Sequence, residues 1–238
     1  MRWVRSLQRI LCLFNGQTVD ITTKNNVPSG NLTSGHRFLK PNTFPVSNFD
    51  DYKNKIRSAR VILDPEERKS IILSGAQKVA DERGMALCPD PGLLEEVAGL
   101  VEWPEILVGK IDETFLELTQ EVLITSMRSH QKYFSLVTTD GCLAPQFIIV
   151  ANVEANDGGL EIIAGNERVL RARLSDAKFF WEQDLKIPLE ARLDALSTSI
   201  FHAKLGTMLQ KVRRLESLSG QIARLVPGCD AELAKRAA

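Results

Sequence analysis

The chain has 238 residues, 44% of them apolar and 25% charged, which is enough for one large core or two modest ones. Thirty basic residues balance thirty acidic ones, so bulk polyanion binding is excluded and any nucleic-acid contact falls to a local basic patch. Cys12, Cys88, Cys142 and Cys229 form no CxxC pair, and His36, His130 and His202 have no paired metal spacing, which reads as reduced, mostly buried thiols in a cytoplasmic protein without a metal site.

The apolar run at residues 10–14 stops at Asn15-Gly16, too short for a signal peptide or a membrane span. Ile10–Phe14, that Asn-Gly pair and Gln17–Ile21 predict a β-hairpin with a tight turn. Gly, Pro, Ser, Thr and Asn crowd Thr22–Pro45, which predicts a long irregular connection. Inside it, Ser34-Gly-His-Arg-Phe38 has more aromatic and basic character than a spacer needs, and long loops are more often functional than idle. Ser47 with Asp50 predicts a capped helix running to about Ala59, and Val61–Leu63 a short strand. Asp64-Pro65, followed by Glu66 and Glu67, starts a helix that should reach Arg83 and close at Gly84. A helix over Gly92–Val101, ended by Trp103-Pro104, and a strand over Ile106–Ile111 come next. Thr119 caps a helix through Val122, Leu123 and Met127 that ends near Arg128–His130. Tyr133–Thr138 and Gln146–Ala151, on either side of Asp140-Gly141, predict a second hairpin.

The stretch Gly165–Asp184 predicts a helix that opens at Gly165-Asn166 and meets no proline before Pro188. Leu170, Leu174, Ala177 and Trp181 fall on one stripe, which should be buried, with Arg173 projecting near that side. Arg168, Arg171, Ser175 and Lys178 line another face. A core helix with a solvated charged face and a helix that offers its cations to phosphates fit this pattern alike. After Pro188 the pattern is helix alone: Leu205, Met208, Leu209, Val212, Leu215, Ile222 and Leu225 recur at three- and four-residue intervals. Pro227-Gly228 interrupts this layer and Ala231–Ala238 begins another helix. The fold class is α+β: a mixed domain of antiparallel hairpins and packed helices over residues 1–186, then the start of an all-helical domain over 187–238.

The densest polar cluster is Arg128-Ser-His130-Gln-Lys132-Tyr133-Phe134. His130, Lys132 and Tyr133 have the groups for acid–base chemistry, which makes a hydrolase or editing-type domain one alternative. The same residues fit a helix C-terminus whose dipole is compensated by Arg128 and His130, or an RNA contact with Tyr133 or Phe134 stacking on a base. Phe201-His202-Ala-Lys204-Leu-Gly206 is a second basic and aromatic point. GxxxxGK[ST], GxSxG and HExxH are all absent. Taken bare, the residues indicate a binding or scaffold module and assign no catalytic residue.

Met127–Phe134, Gly165–Phe180 and Phe201–Thr207, together with Gly35–Phe38, Leu93–Pro104 and Phe147–Asn152, resemble in order the β subunit of bacterial heterotetrameric glycyl-tRNA synthetase. The resemblance covers essentially the whole chain. It implies a class II aminoacyl-tRNA synthetase of α2β2 form, in which the α subunit uses glycine, ATP and Mg while the β subunit binds tRNA(Gly). No cofactor is then expected on this chain, and no membrane partner. The resemblance also implies an internal piece of a longer subunit, with an amino-terminal portion, the rest of an HD-like helical domain and an anticodon-binding domain outside it. Thr119 stands where the family usually has proline. From charge placement the expected RNA contacts are Arg168, Arg171 and Lys178, then Arg128, Lys132 and Tyr133, then His36 and Arg37. A structural role at the interface with the α subunit, without RNA contact, is the other alternative, and the loop Thr22–Pro45 suits it.

Overall fold

Local signals set most element boundaries. The computed structural model describes residues 7, 9–21 and 27–238; the part of the expected long connection at 22–26 lies outside the described residues. Packing divides the chain into two compact units, Met1–Lys178 and Phe179–Ala238.

The first unit opens with short strands. β1 (Ile10–Leu11) pairs in parallel with β4 (Ser29–Gly30), while β2 (Leu13–Phe14) and β3 (Gln17–Thr18) form the expected hairpin. Its turn places Asn15 at φ 47° and Gly16 at φ 76°, the left-handed pair that a two-residue hairpin turn requires. Residues 27–45 are less irregular than expected, because β5 (Leu32–Ser34) and β6 (Thr43–Pro45) pair antiparallel. Helix α1 (Phe49–Ser58) is capped by Asn48, which accepts from the Asp51 N–H, and Ser47 instead donates to the Asp51 carboxylate. Val61–Leu63 forms no strand: Ile62 makes one ladder-like bond, its N–H donating to the Glu102 carbonyl. Helix α2 (Pro65–Asp81) has the expected Asp64 cap, and Gly84 at φ 64° follows its end. β7 is Ala86–Leu87, and α3 (Pro91–Leu100) is capped by Asp90.

β8 (Glu105–Lys110), β9 (Phe134–Val137) and β10 (Leu143–Ala151) join β7 in an antiparallel sheet of order β7-β9-β10-β8. Between β8 and β9 lie a 3-10 turn at Glu113–Phe115, α4 (Gln120–Ser126) and a π-turn at Met127–Gln131. Thr119 occupies the cap position of α4 but makes no side-chain cap bond. Strand alternation sends Phe147 and Ile148 of β10 to opposite faces. Ile148, Phe134, Leu136 and Ala144 pack with Ile72, Ala76 and Ala80 of α2 and Leu93, Val97 and Ala98 of α3. Each fully buried Leu, Ile or Phe contributes about 1.5–3 kcal/mol of transfer free energy, and Ile72, Leu93, Leu136 and Ile148 of this layer are fully buried.

Helix α5 (Leu160–Leu185) reaches the other face of the sheet. It begins five residues before the expected Gly165-Asn166 start, because Asp157 accepts from the N–H groups of Gly159 and Glu161. Leu160-Glu-Ile-Ile-Ala164 is compatible with helix, and the one interior glycine costs only about 1 kcal/mol. Leu170 and Leu174 are buried, Ala177 and Trp181 half-buried, and Arg173 is exposed.

The second unit is not helix alone. Leu189–Ser197 is a 3-10 turn, and β11 (Ile200–His202) pairs with β12 (Gly206–Thr207), with Gly206 at φ 84°. Poor helix formers at Ser197-Thr-Ser-Ile200, and a glycine suited to the turn, favour a hairpin there. Helix α6 (Met208–Ala223) starts with a reciprocal capping box between Thr207 and Gln210, and α7 (Ala231–Ala237) starts at Asp230. Leu215, Ile222 and Leu225 are 41%, 51% and 82% exposed, so the expected apolar layer is mostly uncovered. The four cysteines are free, and none is fully buried: Cys12 and Cys88 are half-buried, Cys142 and Cys229 exposed. This corrects the expectation of mostly buried thiols. Among the described residues no helix is long and apolar enough to cross a membrane.

Candidate nucleic-acid interface

On the basic face of α5, Arg171 donates from Nε and Nη2 to the two carboxylate oxygens of Asp112, at 2.6 and 3.1 Å. Lys178 donates to Glu117 at 2.8 Å and to the Thr114 carbonyl at 2.9 Å. Glu167, on the same helix, accepts from the Lys110 N–H at 2.8 Å. The face therefore braces α5 against the segment that leaves β8. The Arg171 hydrogen bond holds Asp112 below its usual carboxylate range, and Lys178 does the same for Glu117. These pairs are solvent-exposed and screened, and they do more to orient side chains than to stabilise the fold. Arg168 is exposed and has no carboxylate partner among the described residues.

The Arg128–Phe134 cluster is tied internally as well. Arg128 forms a two-point pair with Asp90, and Lys132 lies 2.7 Å from Glu96. Asp90 also caps α3, so one carboxylate joins the π-turn to a helix start; its pKa is lowered chiefly by the Arg128 hydrogen bond. Lys132 sits at φ 60°, a left-handed conformation that lets the chain leave the π-turn and enter β9.

Tyr133 is 3% exposed, its ring centroid is 4.6 Å from that of Phe147, and its hydroxyl donates to Asn166 Oδ1 at 2.6 Å. Burial pushes its pKa up to about 12. Phe134 is in the core on the other face. Neither ring has a face open to a base, which corrects the stacking role expected of Tyr133. The acid–base trio also fails to assemble. Tyr133 is committed to α5, Lys132 to α3, and His130 is exposed.

His36 is buried as well. Its Nδ1 accepts from the Phe38 and Leu39 N–H groups at 3.3 and 3.2 Å, and its backbone N–H donates to the Ala59 carbonyl at 2.9 Å. A Cβ on Gly35 would collide with Ala59, so only glycine lets the loop approach α1 this closely. His36 is thus the pin of the β5–β6 loop, which corrects its expected contact with phosphate. The pinned loop turns Arg37 and Phe38 outward: Phe38 is 73% exposed, with the Arg37 guanidinium 5.6 Å over its ring. Beside them opens a cleft of about 880 Å³ lined also by Tyr52, Arg68 and Asn152. The Arg-Phe pair in a Gly-His loop is a sequence signal that marks Phe38 as well as Arg37. Arg68 and Asn152 have no such signal.

Of the expected contact residues, Arg171, Lys178, Arg128 and Lys132 are engaged in ion pairs and Tyr133 and His36 are buried. Arg168 and Arg37 are exposed cations without a carboxylate partner among the described residues.

Comparison with known proteins first finds relatives whose names share one class, the tRNA ligases. A protein from Rhodospirillum centenum named glycine–tRNA ligase beta subunit is 55% identical over 246 residues, covering 94% of this chain and 34% of its own length. Proteins of the same name from Phenylobacterium zucineum and Ruegeria sp. TM1040 are 48% and 47% identical over 95% and 100% of this chain. The chain belongs to the glycyl-tRNA synthetase beta subunit family, whose model matches residues 1–238. It spans about a third of the length of these relatives.

Proposed function

We propose that this chain is a tRNA-binding and assembly part of a glycine–tRNA ligase. It acts in the cytoplasm with a catalytic α subunit, in an α2β2 enzyme that joins glycine to tRNA(Gly). In this reading the α subunit handles ATP and Mg. The family match along the whole chain, with relatives at 45–55% identity, carries the reading. Arg168 and Arg37, exposed and without a carboxylate partner among the described residues, are the cations best placed for phosphate. Arg171, Lys178, Arg128 and Lys132 can serve RNA only by leaving the carboxylates they now hold.

That same internal pairing favours a second reading, in which the module serves subunit assembly without touching RNA. A salt series of tRNA(Gly) binding, by this chain alone and with the α subunit, tests both. Under the first reading log affinity falls by about 0.7–0.9 per log unit of salt for each phosphate neutralised, and Arg168→Glu weakens binding while assembly survives. Salt-insensitive or absent RNA binding by a chain that still assembles with α would overturn it in favour of the second.

A further inference from the structure

The cleft beside the β5–β6 loop has chemistry that the basic helix lacks. Phe38 presents an uncovered aromatic face at its rim, with Arg37 over the ring. Inside, Arg68 is half-buried and uses Nε and Nη1 on the carbonyls of Ala98, Ile62 and Leu63. Its Nη2 has no acceptor among the described residues, and no carboxylate pairs with it there. Asn152 accepts from the Glu102 and Trp103 N–H groups through Oδ1, so its NH2 is left without a partner among the described residues. Tyr52 adds a second ring with a hydroxyl, and Glu102 is the one acidic residue in the lining. The wall is thus rich in donors and net positive, in a chain whose overall charge is zero. His36 and Gly35 hold the loop by buried, close-packed contacts, so the Arg-Phe pair is presented by a rigid element.

We infer that this cleft takes an unpaired nucleotide of an RNA strand. Its base lies against Phe38, its phosphate is met by the guanidinium of Arg37, and its edge by the donors of Arg68 and Asn152. Aromatic stacking combined with arginine and amide donors is how unstacked RNA bases are bound, and duplex RNA offers no free base face to such a site. The volume suits one small ligand. The inference rests on the ligase reading only for the origin of the strand, the tRNA itself.

The test uses the complete α–β complex and a fluorescently labelled single-stranded hexaribonucleotide, read by anisotropy. Phe38→Ala is expected to weaken binding about tenfold, and Phe38→Trp to restore it. Arg37→Ala should weaken binding and lower the salt slope by about 0.7, the loss of one phosphate contact on a single strand. Hexamer affinity unchanged in both alanine variants overturns the inference. So does a Phe38→Ala complex that loses its α subunit while its RNA affinity holds, which would give the cleft to a protein segment. tRNA(Gly) binding is followed in parallel. If it persists while the hexamer ignores Phe38, the cleft falls and the ligase reading stands. If wild type binds the hexamer through Phe38 but not tRNA(Gly), the ligase reading falls and the cleft stands.

Discussion

The basic face of α5 and the β5–β6 loop are two cationic regions with opposite relations to the rest of the molecule. On α5, Arg171 and Lys178 reach carboxylates brought to them by the segment after β8. On the loop, Arg37 meets an aromatic ring, and Arg68 nearby meets only carbonyls. The number of cations on a helix face therefore says little about its field. Field depends on which of them are compensated, and the loop with fewer cations is the less compensated of the two.

The comparison can be broken from the α5 side first. Leu174 is fully buried beneath that face, so Leu174→Ala should cost about 2–5 kcal/mol in urea unfolding; a neutral result would mean that α5 is not a core helix. Tyr133→Phe comes next. It leaves Asn166 Oδ1 without its donor, at about 1–3 kcal/mol, and it should abolish an alkaline instability. Because burial raises the Tyr133 pKa from 10.0 to about 12, the unfolded chain loses its phenolic proton first. Stability is complete below pH 10 and falls as pH rises toward 12, by roughly 2 kcal/mol, and the Phe variant should stay flat over that range.

Arg171→Ala should have a smaller effect at neutral pH, roughly a quarter or less of that of Leu174→Ala, since the pair is exposed. Its signature lies in acid. Asp112 is held below its ordinary range by Arg171, so the stability it adds is present above the ordinary carboxylate value and lost as pH falls through the lowered one. Removing Arg171 should flatten that limb in a pH series of thermal melts; an unchanged limb would mean that the pair is not formed in solution. The smallest effect belongs to the loop: Phe38→Ala should move stability by no more than about 0.5 kcal/mol, because an exposed ring supports nothing beneath it.

What the sequence made legible follows the reach of each interaction. Asn15-Gly16, Asp140-Gly141 and Asp64-Pro65 act over two or three residues, and each sits where local chemistry puts it. The α+β class followed from these and from the two periodicities. Val61–Leu63 looked like a strand because it is apolar, yet a strand needs a neighbour: Val61 donates back to the Ile56 carbonyl of α1, and the Ile62 N–H donates to the carbonyl of Glu102, 40 residues on. Gly165-Asn166 read as a helix start, whereas Asn166 spends its side chain inside the helix on Tyr133 and the Ile162 carbonyl. For the candidate site the limit was sharper. Arg171 and Asp112 lie 59 positions apart and Arg128 and Asp90 lie 38 apart, so no helical wheel shows that these cations are already compensated. His36, a weak candidate by charge, turned out to be the residue that displays its neighbours.

Gly109 has a consequence for timing. A Cβ there would lie 2.5 Å from the Phe147 ring, so that ring sits directly over the bare backbone of β8. Tyr133 packs against the same ring and hands a hydrogen bond to α5. These two rings join the Lys110–Glu167 bond in linking sheet to helix, and neither can swing away without disturbing both. Amide protons of β8, β10 and the first three turns of α5 should therefore exchange with solvent at one shared slow rate, as a single cooperative unit. The β5–β6 loop, outside that linkage, should exchange on a clock of its own.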